Sequence, residues 1–427
     1  MNLMSEEFLH HTWKFKLFDL RDLRTTDNEE LEIIKAGTHN FDAGPDFFNA
    51  RIRIGNTLWA GNVEVHVDAG DWKRHRHQND KAYDNIILHV VLHANEQQHR
   101  RSGEKIPTLE LGDRINKKLY KNYLDFKSNA DWIPCAKQID AAPFFVVSSM
   151  IDKLLVERLE RKSQQIEQGL ALNKNNWEET FYQLLARNFG FNTNAAPFEL
   201  LAKSLPSNYL GKHKNSLLQI EAMLFGQAGM LEKHLEDKYV LALQNEYAFL
   251  KQKFKLQPIE AHLWKFLRLR PVNFPSIRIA QFAALIFRSS RLFSSIIETE
   301  RSADLKELLN VSVSDYWQTH YIPDKESVRK EKKLGNAAVN AIIINTVVPF
   351  LFVYGKQKAD ERYTERALRF LEETAGESNA LVWQWKQLGL PVNTAYNTQA
   401  LIQLKNEYCD PKKCLSCSIG NYLLKNS

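Results

Sequence analysis

The sequence predicts an α+β protein in which a small mixed β-sheet flanked by helices precedes a mainly α-helical domain. Residues 48–92 alternate apolar and polar side chains in short runs bounded by turn residues, which is typical of strands. From about residue 144 onward, apolar residues recur at helical spacing. A chain of 427 residues is too long for one compact core, so we expect two or three domains and divide it into residues 1–143 and 144–427.

The N-terminal part is predicted to alternate strands with helices. Ser5 is a good N-cap for a first amphipathic helix, because Glu6 and Glu7 follow it in the first turn. Gly55-Asn56 is a two-residue hairpin signal between two strands. The predicted elements are a helix over residues 5–18, strands over 48–54, 58–67, 86–92 and 107–111, and helices over 71–85 and 113–127.

Acidic and imidazole side chains gather around the first two of these strands. Asp46 follows the turn Gly44-Pro45, and Glu64 and His66 share one face of the next strand because alternate strand residues point the same way. These three residues are therefore the candidate catalytic group. The structural alternative is that Asp46 caps its own turn, while Glu64 and His66 lie on a solvated strand face.

The arrangement resembles the metal-binding core of the PD-(D/E)XK nuclease superfamily. The matching residues are Pro45-Asp46 and Glu64-Val65-His66, with His66 where that superfamily has lysine. The resemblance implies a restriction-endonuclease-like core, Mg²⁺ or Mn²⁺ held by Asp46 and Glu64, and action on a phosphodiester of DNA or RNA. His66 could position the attacking water, or it could ligate the ion and favour Mn²⁺ or Zn²⁺. The whole chain also resembles a family of bacterial proteins of unknown function with the same GPDF, GNVEVH and terminal-cysteine signatures.

The sequence leaves three functions open. The first is a metal-dependent nuclease, and the second is a non-catalytic nucleic-acid-binding or interaction protein on a degenerate nuclease fold. The third is a metal hydrolase with a small substrate that uses the histidine-rich region, since nine of the 13 histidines lie in the first hundred residues. His75 and His77 would point to different faces of the predicted helix over residues 71–85, which makes them poor joint ligands.

The four cysteines predict a second metal site. Cys409, Cys414 and Cys417 have the spacing C-x4-C-x2-C, and Cys135 is the remaining cysteine. Four thiolates complete a zinc site or hold an iron–sulfur cluster. Some nucleases of the superfamily named above similarly join a lone cysteine to a C-terminal trio around an iron–sulfur cluster. The alternative is a buried Cys135 and a reduced, unligated trio.

Arg268, Arg270 and Arg278 flank two prolines and form a candidate phosphate clamp, because guanidinium groups bind phosphate oxygens in pairs. The alternative is a helical corner whose arginines pair with acids.

Charge and composition limit the partners and the compartment that we expect for this protein. The net charge of +6 permits DNA or RNA as a partner without requiring either. The N-terminus has no apolar signal segment, and cysteines clustered in sequence suit a reducing compartment, so we expect a cytoplasmic protein. The apolar window over residues 337–354 contains two asparagines and a proline, so we interpret it as a buried helix ended by Pro349 and expect no membrane partner. The sequence leaves the oligomeric state open.

Overall fold

The computed structural model describes residues 4–232, 236–289 and 291–426. The chain divides into two compact units: Met1–Met150 together with Lys405–Ser427, which we call the sheet unit, and Ile151–Leu404, which we call the helical unit. A mixed sheet followed by a mostly helical region confirms the α+β prediction. The first segment of the sheet unit ends at residue 150, whereas the sequence suggests a division after residue 143, where a long helix, Phe144–Leu172, begins. The last 23 residues, which we predicted to belong to the helical domain, group with the sheet unit instead.

The sheet is mixed and six-stranded. The first strands pair antiparallel, β1 with β3 and β3 with β4, and β2 also pairs with β3. β4, β5 and β6 then run parallel. The strands are β1 Leu31–Lys35, β2 Thr38–His39, β3 Phe47–Ile54, β4 Thr57–Asp68, β5 Ile86–His93 and β6 Thr108–Glu110. β5 is buried along its length up to its last residue, as expected of a central strand that is apolar on both faces.

A bulge in β3 shapes the start of the hairpin. Phe47 pairs with Val63 and Ala50 pairs with Gly61, so β3 carries one extra residue between these pairs. Asn49 takes up the extra residue in the left-handed region, with φ of 56°. Bulges of this kind bend a strand and redirect the side chains beside them. Asp46 directly precedes β3 and lies close to this bulge in sequence.

Helices account for most of the remaining chain. They are α1 Glu6–Lys14, α2 Asp71–Arg74, α3 Lys117–Ser128, α4 Phe144–Leu172, α5 Trp177–Phe189, α6 Ala195–Ser204, α7 Ser207–Gly211, α8 Leu217–Gln227, α9 Lys238–Phe254, α10 Pro275–Arg288, α11 Leu292–Glu298, α12 Ser302–Leu309, α13 Asp315–Thr319, α14 Asn336–Ile342, α15 Val348–Lys358, α16 Glu361–Glu373, α17 Ala380–Gln387, α18 Ala395–Leu404 and α19 Ser418–Asn426. A short antiparallel hairpin, β7 His320–Ile322 with β8 Lys325–Glu326, interrupts the helical unit.

In the sheet unit, α1 packs on β4 through an apolar face. Phe8 and Trp13 are fully buried, and the Phe8 ring stacks on Tyr123 of α3 with centroids 5.0 Å apart. Ser5 caps α1 by accepting a hydrogen bond from the Phe8 amide, as the sequence predicts. This packing fixes the first turns of α1 beside the middle of β4.

The helical unit contains the apolar window noted in the sequence. Among the described residues, Asn336–Lys358 is the one helix long and apolar enough to cross a membrane, and 72% of its most apolar window is buried inside the protein. It therefore has the burial of a core helix. The helix continues past Pro349 and does not end there as predicted. A π-helical turn over Ile343–Val347 precedes this proline, which occupies the first turn of α15, where a missing amide proton is tolerated.

Candidate functional site

Two hydrogen bonds bring Asp46 and Glu64 together. The Asp46 amide donates to Glu64 Oε2 at 3.1 Å, and the Val65 amide donates to Asp46 Oδ2 at 2.9 Å. Gly44, with φ of 104°, makes the turn that delivers Asp46 to β3. The predicted neighbourhood of these two carboxyl groups is thus present in the structure.

Glu64 and His66 are buried, on the face of β4 that they share. Their exposed fractions are 4% and 2%, so they do not lie on a solvated strand face. Burial, and then the nearby charge of Asp46, raise the pKa of Glu64 to about 9. Glu64 is therefore protonated at neutral pH unless a cation displaces the proton.

Three histidines converge beside Glu64. The ligand atoms of His66, His75 and His77 all lie within 4.8 Å of one another. His66 Nε2 lies 3.2 Å from His75 Nδ1 and 3.6 Å from Glu64 Oε1, and His77 Nε2 lies 3.2 Å from the same Glu64 oxygen. We call these four residues the histidine–glutamate cluster.

The cluster forms because residues 71–85 are not one helix. α2 ends at Arg74, and Arg76 adopts the left-handed conformation with φ of 63° before a 3₁₀ turn over His77–Asn79. The reversal at Arg76 turns His75 and His77 toward each other. The expectation that they point apart, which rested on a continuous helix, is wrong.

A second layer of aromatic rings holds the cluster. His66 Nδ1 lies 2.8 Å from Nε2 of His89, which is fully buried on β5, and the His77 ring stacks on Tyr83 with centroids 3.8 Å apart. Burial, then the other histidines, lower the pKa of His66 to about 2; burial also lowers that of His89 to about 3, so both rings are neutral. A proton on His66 Nδ1, donated to His89, leaves His66 Nε2 with a free lone pair facing the cluster.

His10 of α1 borders the same site. Its Nε2 lies 3.2 Å from Asp46 Oδ2. Burial lowers the pKa of His10, but the hydrogen bond and charge of Asp46 outweigh it, so the pKa is raised above its usual value. Glu6, one turn earlier on α1, adds negative charge to His10 and to Glu64. A histidine–carboxylate pair, His10 with Asp46, therefore stands next to the histidine–glutamate cluster.

The comparison with known families covers this site. Residues 6–380 match the model of the family described as "Protein of unknown function (DUF2851)". The chain belongs to this family. No curated protein and no solved structure matches it. The family match includes every residue of the histidine–glutamate cluster and ends before Cys409.

Sequence reasoning named three members of this site and missed the others. The signal that could have found them was the crowding of nine histidines into the first hundred residues. The residues that the structure adds to Asp46, Glu64 and His66 are His10, His75, His77 and His89.

The four cysteines of this DUF2851 protein lie together in the sheet unit. None of them forms a disulfide. Burial, and then Cys417 and Cys414, raise the pKa of the Cys135 thiol to about 12, and Cys409 interacts electrostatically with the other three. Among the described residues, no three of these sulfurs lie within 4.8 Å of one another. The thiols are thus neighbours, but at least one sulfur–sulfur distance in each described trio exceeds 4.8 Å, against roughly 3.8 Å between sulfurs that bind one zinc ion at 2.3 Å.

Lys412 ties the terminal cysteine segment to the loop that carries Cys135. Its ammonium group donates to the carbonyl oxygens of Lys127 at 2.6 Å and Asn129 at 3.0 Å. The Asn129 side chain in turn donates to the carbonyl of Pro134, the residue before Cys135. Cysteines 274 residues apart in sequence are therefore joined through one set of hydrogen bonds.

The three arginines of the predicted phosphate clamp separate. Arg268 and Arg270 are exposed, whereas Arg278 is 9% exposed in the first turn of α10. The guanidinium of Arg278 is hydrogen-bonded to Asn273 and Gln281 rather than to an acid. The structure does not assemble a three-arginine site.

Proposed function

We propose that the protein is a metal-dependent phosphodiester hydrolase that acts on nucleic acid, with the ion held by the histidine–glutamate cluster. The observation that carries the proposal is the convergence of His66, His75, His77 and Glu64 on a common point next to the Asp46–His10 pair. Three imidazoles and one carboxylate are a common donor set of catalytic metal sites, whereas chance groups of this size are seldom held by a second layer of rings.

The donor set selects the class of ion. Imidazole nitrogens suit Zn²⁺ and other transition metals, whereas Mg²⁺ prefers oxygen ligands. The sequence motif suggested Mg²⁺ or Mn²⁺; we now favour Zn²⁺ or Mn²⁺ over Mg²⁺. His77 supports this fit because its Nε2 atom is shielded from solvent and lies 3.2 Å from Glu64 Oε1, so both atoms can face one ion. His75 is exposed, so an ion at the cluster would be open to solvent and substrate.

The chain itself supplies acid–base groups. A bound ion would polarise a phosphoryl oxygen and lower the pKa of a water molecule. Asp46 raises the pKa of His10 above its usual value, which favours the protonated ring that would donate a proton to the leaving oxygen. Asp46 orients His10 through Oδ2 and, through the Val65 amide, is itself held against β4.

The choice of a phosphodiester rests on two observations. The Pro45-Asp46 and Glu64-Val65-His66 pattern resembles the PD-(D/E)XK motif, and a restriction-endonuclease-like core remains part of this proposal. The segment that brings in the two later histidines is also basic: Lys73, Arg74 and Arg76 are exposed on it. Positive side chains beside a metal site favour a polyanionic substrate.

The test combines metal analysis with cleavage assays on single- and double-stranded DNA and RNA in Zn²⁺, Mn²⁺ or Mg²⁺. Cleavage is expected with Zn²⁺ or Mn²⁺ and is expected to be lost in His77→Ala and Glu64→Gln. The matched control is His262→Ala, because that histidine is 77% exposed and lies in the helical unit. Nucleic-acid binding in EDTA without cleavage in any metal would favour a non-catalytic binding protein. Hydrolysis of bis(p-nitrophenyl) phosphate alone would favour a small substrate.

The four cysteines are proposed as a separate, structural metal site. Their raised thiol pKa values mean that a metal must displace the protons, and its binding free energy would then stabilise the fold of the sheet unit. Zinc would have to draw the sulfurs together, whereas an iron–sulfur cluster accepts wider spacing.

A further inference from the structure

The helical unit contains a cavity that the proposed function does not use. Its volume is about 370 Å³, which falls within the range of small-molecule sites. The walls are mostly apolar and include Phe189, Phe198 and Leu269. Among the residues that the structure describes there, none of the lining side chains is acidic.

A buried cation lines this cavity. Arg278 is 9% exposed, and burial lowers the pKa of its guanidinium to about 10. In the described structure its guanidinium is hydrogen-bonded to amide oxygens rather than to a carboxylate, and its Nε has no hydrogen-bond partner. Asn273 accepts from Nη2 at 2.7 Å and Gln281 accepts from Nη1 at 3.0 Å. A charge removed from water without a counter-charge is costly, so its retention calls for a reason.

The surroundings of Arg278 favour an anion. α6 and α10 both begin at the cavity, where Asn194 and Pro275 line it, and neither helix has a side-chain cap. Helix N-termini present unpaired amide groups and partial positive charge. Two helix starts and one guanidinium therefore give the cavity a positive interior within apolar walls.

Backbone strain marks the same place. Phe191 has φ of 50°, a left-handed conformation that bulky side chains rarely adopt, and the Arg278 guanidinium lies 4.6 Å from the centre of its ring. A strained backbone conformation persists where its surroundings hold it, and here it accompanies the contact between the Phe191 ring and the buried cation.

We propose that this cavity binds a small organic carboxylate, with the carboxylate group paired to Arg278 and its apolar body against the phenylalanine walls. A guanidinium has five donors, of which the protein uses two, so donors remain for a carboxylate. The apolar walls select an organic acid over inorganic phosphate, which has no apolar part to bury.

The test measures binding of benzoate and octanoate to the full chain by calorimetry, with benzyl alcohol, octanol and inorganic phosphate as comparison probes. At least one carboxylate is expected to bind, with both alcohols and phosphate weaker. Arg278→Met is expected to weaken carboxylate binding roughly ten- to hundred-fold, because it removes charged hydrogen bonds at nearly constant volume. Arg270→Met is the matched control, since that arginine is exposed and does not line the cavity.

Two further measurements separate a ligand site from a structural arginine. Arg278→Met is expected to keep or raise the melting temperature of the unliganded protein, because it replaces an unpaired buried charge with an apolar side chain. Ala341→Leu, which fills the cavity and leaves the charge in place, is expected to weaken binding as well. The proposal is overturned if neither acid binds at millimolar concentration, if phosphate or the alcohols bind as well as the acids, or if Arg278→Met binds like wild type. A large loss of stability in Arg278→Met, with carboxylate binding intact in Ala341→Leu, would also overturn it.

Discussion

Replacing Glu64 with glutamine should stabilise the metal-free protein, and by more at higher pH. Glu64 is buried with its pKa raised to about 9 from an ordinary 4.5, so the folded state holds a proton that the unfolded chain has already released. A group with a raised folded pKa contributes most to stability below the unfolded pKa, and this contribution is lost as the pH rises toward the folded pKa. Glutamine fills the same space and does not ionise.

The magnitude follows from proton counting. Between pH 5.5 and 7.5 the folded state binds one more proton at Glu64 than the unfolded chain does. The free energy of unfolding of wild type should then fall by about 1.4 kcal/mol per pH unit relative to Glu64→Gln, which is about 2.7 kcal/mol over the window. This result requires only that the folded pKa of Glu64 lies above 7.5.

The assay is urea unfolding of both proteins in EDTA at several pH values, with the two profiles subtracted so that the titrations of groups distant from Glu64 cancel. Glu32→Gln, at an exposed position on β1, serves as the control and should follow wild type. Saturating Zn²⁺ should reverse the order, because a ligating Glu64 is ionised and a ligand that binds only the folded state stabilises it. If the unfolding free energies of wild type and Glu64→Gln run parallel with pH in EDTA, Glu64 is not a buried neutral acid. If Zn²⁺ does not make wild type the more stable of the two proteins, Glu64 is not a metal ligand.

Three further predictions concern the histidines and the cysteines. His77→Ala should lower Zn²⁺ affinity at least ten-fold by calorimetry, while His262→Ala should leave it unchanged. Cys135→Ser and Cys414→Ser should lower the melting temperature equally, and neither variant should differ from wild type after the metal is removed by a chelator. Absorbance at about 400 nm would identify an iron–sulfur cluster. Unequal losses of melting temperature in the two variants would contradict a shared site. The pKa of His89 is lowered to about 3, so the folded state resists protonation of this ring and the protein loses stability as the pH falls below 6.5. In urea titrations between pH 6 and 4, His89→Gln should reduce the dependence of the unfolding free energy on pH by about 1.4 kcal/mol per pH unit.

Local patterns in the sequence predicted the hairpin and part of the site. Strand alternation places Glu64 and His66 on one face, and the structure keeps that pairing because a two-residue period leaves no other choice along β4. Gly55-Asn56 joins β3 to β4 as the turn chemistry predicts. The sequence analysis did not predict β1, because apolar and polar residues alternate only weakly in its five residues, LEIIK. This segment is a strand because it pairs with β3.

The contacts that escaped prediction depend on single dihedral angles or on distant segments. His75 and His77 converge because Arg76 adopts a left-handed conformation, which no pattern of apolar residues encodes. The cysteines could be counted, but their grouping with the sheet unit depends on Lys412 reaching a loop almost three hundred residues earlier. Arginines close in sequence suggested one clamp, yet a 3₁₀ turn and a helix start turn Arg278 inward and leave the others outside.

Two buried groups show where folding and function conflict in this protein. Glu64 is an acid taken out of water beside the neutral ring of His66, and Arg278 is a cation taken out of water with amides rather than an acid as its partners. Each would be replaced by an uncharged side chain if stability alone decided, because a buried ionisable group costs more than an apolar one of equal size. The first lies where three histidine nitrogens converge, and the second lines a cavity next to the strained Phe191. Each group would gain a partner of opposite charge from the proposed ligand, a cation at Glu64 and an anion at Arg278. If the two sites bind such ligands, zinc should stabilise wild type but not Glu64→Gln, and benzoate or octanoate should stabilise wild type but not Arg278→Met, each independently of the other.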